Sequence, residues 1–153
     1  MKAIERLLWS IALPGFGQLL NQKYLKGTIF ILLEFIVNSQ SRFNEAIRLS
    51  FLGKTIEATQ VIDFQWLMFY PCLYFFAMWD AYKDADGGRS PYAFLPFVFS
   101  AYFVTVGLMY SSRVTIFGIF FGPIWLPMLS VIPGVLTGLL IRSLLIKFLP
   151  LQK

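Results

Sequence analysis

The stretch from Phe64 to Trp79 constrains this chain more than any other feature. It carries no charge, and it ends at Asp80, where the eleven most polar consecutive residues of the molecule run to Ser90. Nine of the nineteen residues from Phe64 to Tyr82 are aromatic. As a helix, the uncharged stretch would rise about 24 Å, slightly short of a ~30 Å hydrocarbon core, and Trp66, Trp79 and Tyr82 supply the amphipathic rings found at headgroup level. A chain with this boundary in its middle is expected to meet water at Asp80 to Ser90 and lipid on either side.

Composition leads to the same class. With 58% hydrophobic and 14% charged residues and a mean hydropathy of +0.68, the chain has too little polar surface to cover a water-soluble globule of 153 residues. One all-α domain over residues 1–153 is expected, a polytopic membrane helix bundle. There is no histidine, and Cys72 stands alone inside an apolar segment, which argues against His/Cys metal centres, Cys-His nucleophiles and disulfides. No catalytic residue, metal site or cofactor is expected. The net charge of +5 comes from residues flanking apolar segments, so it reads as a topology signal and a contact with anionic lipids, not as a nucleic-acid surface.

At the start, Ile4, Leu7, Leu8 and Ile11 recur at helical spacing, and the apolar run is too short for the core of a signal peptide. The helix is expected to stop at Pro14-Gly15-Phe16-Gly17-Gln18, giving an interfacial helix followed by a re-entrant or tight-turn element. Four spans are expected, at about 24–40, 62–82, 92–112 and 124–141. In the first, Gly27, Ile31, Glu34, Asn38 and Ser41 form one small and polar stripe that should face the bundle. Glu34 lies eight residues from both Lys26 and Arg42, near the bilayer midplane, where a carboxylate is a functional candidate by default. It either pins helix packing through a hydrogen bond to Gln18, Gln65 or a tyrosine, or serves an ion or proton path.

Residues 41–60 form an amphipathic connection, with Phe43, Ile47 and Phe51 on one face, expected along the outer membrane surface. Pro71 predicts a kink in the second span. Residues 114–141 would make a helix of about 42 Å, too long for a straight crossing, so Pro123, Pro127 and Pro133 are expected to break it, leaving 114–122 short or re-entrant. Gly118 with Gly122, and Gly134 with Gly138, have the spacing that lets helix backbones approach closely, within the chain or between two copies.

Four spans place both termini on one side. That side carries nine Lys and Arg (Lys2, Arg6, Lys23, Lys26, Lys83, Arg89, Arg142, Lys147, Lys153) against four on the other (Arg42, Arg48, Lys54, Arg113), which predicts cytoplasmic termini.

Asp84, Asp86 and Gly87 imitate a calcium loop, but the required register puts Tyr82 and Ala93 where acidic ligands belong. Asp80 and Asp84, four apart, could share a helix face and hold Mg²⁺ against a lipid phosphate. The second acidic pair of such phosphotransferases is missing, so a solvated turn that anchors two helices is the preferred reading.

Leu13-Pro14-Gly15-Phe16-Gly17-Gln18-Leu19-Leu20-Asn21 with Tyr24 and Gly27, and then Trp79-Asp80-Ala81-Tyr82, resemble small bacterial membrane proteins of the TM2-domain class over about residues 8–84. The chain departs from that pattern in its long 41–60 segment and in lacking an Asp-Arg-Phe signature. The resemblance implies a bacterial cell membrane. The expected function is a non-enzymatic interaction or scaffold component that contacts lipids and other membrane proteins or itself. The alternative is a small transporter or ion-path subunit using Glu34. Candidate functional residues are Gln18, Glu34, Asn38, Asp80 and Asp84.

Overall fold

The computed structural model describes residues 2–148. Met1 and residues 149–153, which include Lys153 of the basic tally, lie outside the described residues. The chain is helical almost throughout, as α1 (Lys2–Ala12), α2 (Phe16–Leu20), α3 (Tyr24–Ser41), α4 (Phe43–Phe51), α5 (Thr55–Val61), α6 (Phe64–Leu67), α7 (Tyr70–Asp84), α8 (Leu95–Tyr110) and α9 (Gly122–Phe148). A 3-10 turn, Gly87–Arg89, lies between α7 and α8. The all-α expectation is met, apart from one hairpin of two-residue strands, β1 (Thr115–Ile116) and β2 (Ile119–Phe120).

The local reasons are legible. Pro14 and Gly15 end α1, and Gly15 sits at φ 106°, a left-handed conformation that a residue with a Cβ adopts only with strain. Asp63 starts α6 by accepting hydrogen bonds from the backbone N–H groups of Gln65 (2.9 Å) and Trp66 (3.2 Å), the usual service of an N-cap carboxylate. Pro71 does not kink a continuous span. The helix is interrupted just before it, at Met68–Phe69, and the proline sits in the first turn of α7, where its missing N–H costs nothing.

The long helices alternate in direction. The start of α3 meets the end of α7 through Lys26 and Asp80, and Trp79 near the end of α7 packs edge-on against Phe94 and tilted against Phe97 at the start of α8. Helices α8 and α9 then run antiparallel in close contact. A Cβ on Gly134 would lie 2.7 Å from Ser100 Cα, one on Gly138 would lie 2.8 Å from the Leu95 carbonyl oxygen, and Gly107 faces Ser130. Gly134 and Gly138 are therefore intramolecular packing residues, because any side chain there would push the two backbones apart.

Several expectations need correction. Gly118 packs against no helix: it is at the hairpin tip, with open space where a Cβ would be. Phe117 and Gly118 both have positive φ (51° and 78°), the geometry that two-residue hairpins use to match strand twist. Gly122 is the first residue of α9 and faces Thr55, not a Gly-x-x-x-Gly partner. Pro127 and Pro133 do not break the chain; α9 continues through both for 27 residues. Its extensive packing on α8 compensates for the two lost N–H donors.

The 41–60 segment does not lie free along a surface. Helices α4 and α5 fold back at Gly53, bring Ala46 and Ala58 to complete burial, and cap the start of α9 and the end of α8. The buried apolar cluster of this cap includes Leu49, Ile62, Leu67, Leu108 and Ile124.

Among the described residues, α9 alone is long and apolar enough to cross a membrane by itself. Thr55–Val61 with Phe64–Asp84 qualifies only as a pair bent by 92°. Helix α3 is 18 residues long but dilutes its hydropathy with Lys26, Glu34, Asn38 and Gln40, and α8 has only 16 residues because turns consume both ends of its apolar segment.

Candidate functional site

The Pro-Gly-x-Gly-Gln element and the polar end of α7 close on one another. Helix α2 packs against both α1 and α7, which also touch each other, and Gly17 is what admits it, since a Cβ there would approach Ala81 Cβ and the Arg6 carbonyl oxygen, each at 2.6 Å. Gly27 on α3 likewise leaves room for Leu19 and for the Gly15 carbonyl.

Gln18 is fully buried by this packing. Its Nε2 donates to the Ala77 carbonyl at 2.8 Å and to Asp80 Oδ2 at 3.1 Å. Asn21 Nδ2 donates to the Ala81 carbonyl at 2.8 Å, in the last turn of α7, where carbonyls run short of intrahelical donors. Lys26 Nζ, just before the apolar stretch that begins at Gly27, lies 2.7 Å from Asp80 Oδ1 and 3.0 Å from Asp84 Oδ2.

Asp80 and Asp84 thus share a helix face as expected, but the cation between them is the chain's own Lys26 ammonium. The described residues contain no group of three or more His, Cys, Asp or Glu side chains arranged to hold a metal ion.

Glu34 belongs to a different place. Of the expected stripe, Gly27, Glu34 and Ser41 are buried on the inner face of α3 and Ile31 and Asn38 only half-buried, while Phe30 and Val37 join the buried face. Glu34 Oε1 accepts a hydrogen bond from the Tyr70 hydroxyl at 3.1 Å, and its Oε2 is buried without a partner among the described residues. Tyr70 stacks on Tyr74, whose hydroxyl donates to the Ile11 carbonyl at 2.6 Å. Asn38 Nδ2 donates to Asn44 Oδ1 at 3.2 Å, and its own Oδ1 accepts from the Asn44 backbone N–H at 3.3 Å, across the turn between α3 and α4.

The structure therefore unites Gln18, Asp80 and Asp84 with Asn21 and Lys26, and leaves Glu34 and Asn38 outside that cluster. Lys26 and Asn21 were not among the sequence candidates. Asn21 and Gly27 do lie in the quoted motif, so the motif's own boundaries were the signal for this cluster. No comparison with protein families, curated proteins or solved structures matched this chain.

Proposed function

We propose that this protein is an integral component of a bacterial cell membrane, with α3, the α6–α7 segment, α8 and α9 crossing it and both termini cytoplasmic. In this reading it works without catalysis, as an interaction or scaffold component. One observation carries the proposal: the outside of the fold is widely apolar, while several polar side chains are buried. Large apolar side chains point outward, including Leu25 at 77% exposure and Phe35 at 71%, while Gln18 at 0% and Glu34 at 7% lie inside with Ser10, Ser100 and Ser111. Outward apolar surface on this scale is unfavourable in water and is the ordinary state against lipid, where inward polar groups and small residues hold helices together.

The ends of the bundle support the topology. Lys26 and Arg142 lie at the end that carries most of the cations, and the paired Arg42 and Lys54 lie at the other. The Pro-Gly-x-Gly-Gln element closes on Asp80-Ala81, so the two stretches that carry the resemblance to the TM2-domain class meet in one contact. A scaffold role is favoured over an ion path because the polar groups tie elements together: Gln18 and Asn21 hold α2 to α7, and Tyr70 holds α7 to α3.

Sedimentation after alkaline carbonate treatment, followed by affinity purification in mild detergent, tests the reading. The expected result is a chain that stays with the membrane pellet and elutes with a stoichiometric protein partner or as a homo-oligomer. Extraction into the carbonate supernatant would overturn the membrane assignment. A lone monomer with ion-dependent flux in vesicles would replace the scaffold with the transport reading.

A further inference from the structure

The contact between the Tyr74 hydroxyl and the Ile11 carbonyl, at 2.6 Å, fixes how far α1 reaches along the bundle. Tyr74 lies six residues before Asp80, about 9 Å along α7 from the polar cluster. A helical tyrosine leans toward the N-terminus of its helix, which carries the contact farther still from Asp80. The Tyr74 ring stacks on that of Tyr70, the partner of Glu34, and Glu34 is eight residues from both Lys26 and Arg42. The end of α1 therefore stands close to the level of the middle of α3. Five residues earlier, the Arg6 carbonyl packs with Ala81 around Gly17, at the polar end of α7. Helix α1 thus runs antiparallel to α7, down from the Asp80 level into the bundle, and does not lie across its end.

The turn that follows sits below that polar end too. A Cβ on Gly15 would lie 2.6 Å from the Gly27 carbonyl oxygen and 3.1 Å from the Ile31 nitrogen, and Ile31 is about 7 Å along α3 beyond Lys26. From there α2 climbs back, and Asn21 reaches the Ala81 carbonyl. Irregular backbone at membrane depth is tolerated only where protein covers it. Pro14 and Gly15 are both buried, and the Leu13, Phe16 and Leu19 N–H groups donate to the Trp9, Leu13 and Gly15 carbonyls. Tyr74 serves one of the carbonyls that the last turn of α1 leaves without an intrahelical donor.

The opposite side of α1 is apolar and uncovered. Ile4, Leu8 and Ile11, at i, i+4 and i+7, are exposed, while Ser10 is buried against α2. Eleven residues of helix rise about 16 Å, close to half of a ~30 Å hydrocarbon core.

We propose that α1 and α2 form a re-entrant hairpin that enters from the cytoplasmic side and turns back at Pro14-Gly15 within the bilayer, so that Ile4, Leu8 and Ile11 meet acyl chains of the cytoplasmic leaflet. The proposal rests on the membrane reading given above. It replaces the interfacial orientation expected for α1, and it gives the Pro-Gly-x-Gly-Gln element a task, the packing of a half-membrane turn against α3 and α7.

Depth along one helix face tests it. In the full chain with Cys72→Ser, a nitroxide is attached in turn at Ile4→Cys, Leu8→Cys and Ile11→Cys, and the protein is placed in vesicles of phosphatidylcholine and phosphatidylglycerol. Collisions with oxygen, which concentrates toward the bilayer centre, are compared with collisions with a water-soluble nickel chelate. The oxygen-to-nickel ratio should rise several-fold and in order from position 4 through 8 to 11, since seven residues of inclined helix span about 10 Å. Equal ratios at the three positions, as for a helix lying flat in the interface, would overturn the proposal, and so would nickel access at position 11. A label at Leu136→Cys, on the exposed side of α9, separates the two levels. An oxygen-rich Leu136→Cys beside a flat α1 defeats the hairpin alone, whereas nickel access at both helices defeats the membrane reading and the hairpin together.

Discussion

The Lys26 ammonium lies 2.7 Å from an Asp80 carboxylate oxygen, joining the first turn of α3 to the polar end of α7 across 54 residues of sequence. Asp84 contributes a second oxygen at 3.0 Å, and the lysine side chain itself is 46% exposed. The Asp80 and Asp84 side chains are 13% and 19% exposed, but the half-exposed ammonium keeps both pairs near the surface case, typically worth about 1 kcal/mol or less. Asp84→Asn should therefore change thermal stability in detergent little. Lys26→Asp, which would place three carboxylates together, should lower it clearly, and adding Asp84→Lys should recover part of the loss. A well-folded Asp84→Asn protein that loses all function would instead favour phosphotransfer chemistry at this pair.

Glu34 and Tyr70 form the main polar contact between α3 and the start of α7. Glu34→Gln keeps an acceptor for the Tyr70 hydroxyl and should be nearly neutral. Glu34→Leu removes it and should cost roughly 1–2 kcal/mol, the scale found for interhelical hydrogen bonds in membranes. In a double-mutant cycle with Tyr70→Phe, the two losses should be clearly non-additive, and simple additivity would show that the hydrogen bond contributes nothing. If Glu34→Gln folds normally but abolishes function, a titrating carboxylate is required and the transport reading gains.

Gln18 reaches two acceptors on α7 from a fully buried position. Gln18→Leu should cost about 1–3 kcal/mol by leaving its partners without a donor. It should also speed hydrogen exchange in α2 while leaving α8 and α9 unaffected, whereas uniform acceleration across the chain would show that the contact is not local.

The glycines separate packing from turn chemistry. Gly134→Leu or Gly138→Leu should force α8 and α9 apart and destabilise the fold by roughly 1–3 kcal/mol or more, the cost of overpacking. Gly118→Asn, at a hairpin tip where asparagine tolerates positive φ, should be tolerated. A stable Gly138→Leu variant would contradict the close approach to Leu95 and Pro96.

In a Cys72→Ser background, a cysteine placed at Gly53 should react with an impermeant maleimide in intact cells, and one placed at Gly88 only after permeabilisation. The reverse pattern would invert the topology.

Much of the architecture follows from local sequence. The stop at Pro14-Gly15 and the inward side of Gly27, Glu34 and Ser41 on α3 depend on ring constraints and periodicity within a few residues, and each appears where the sequence places it. What the tertiary structure decided are the contacts between distant segments. Nothing near Gln18 or Lys26 in sequence names Ala77, Asp80 or Asp84 as partners, because those pairings exist only once Gly17 and Gly27 let three helices close together. The same holds for α9. Pro127 and Pro133 locally argue for breaks, but the packing of Gly134 and Gly138 on α8 stabilises a continuous helix that propensity alone would interrupt. Local rules chose the helical segments and their polar faces, while close helix contact, which depends on the whole chain, decided where helices persist and which buried polar groups meet.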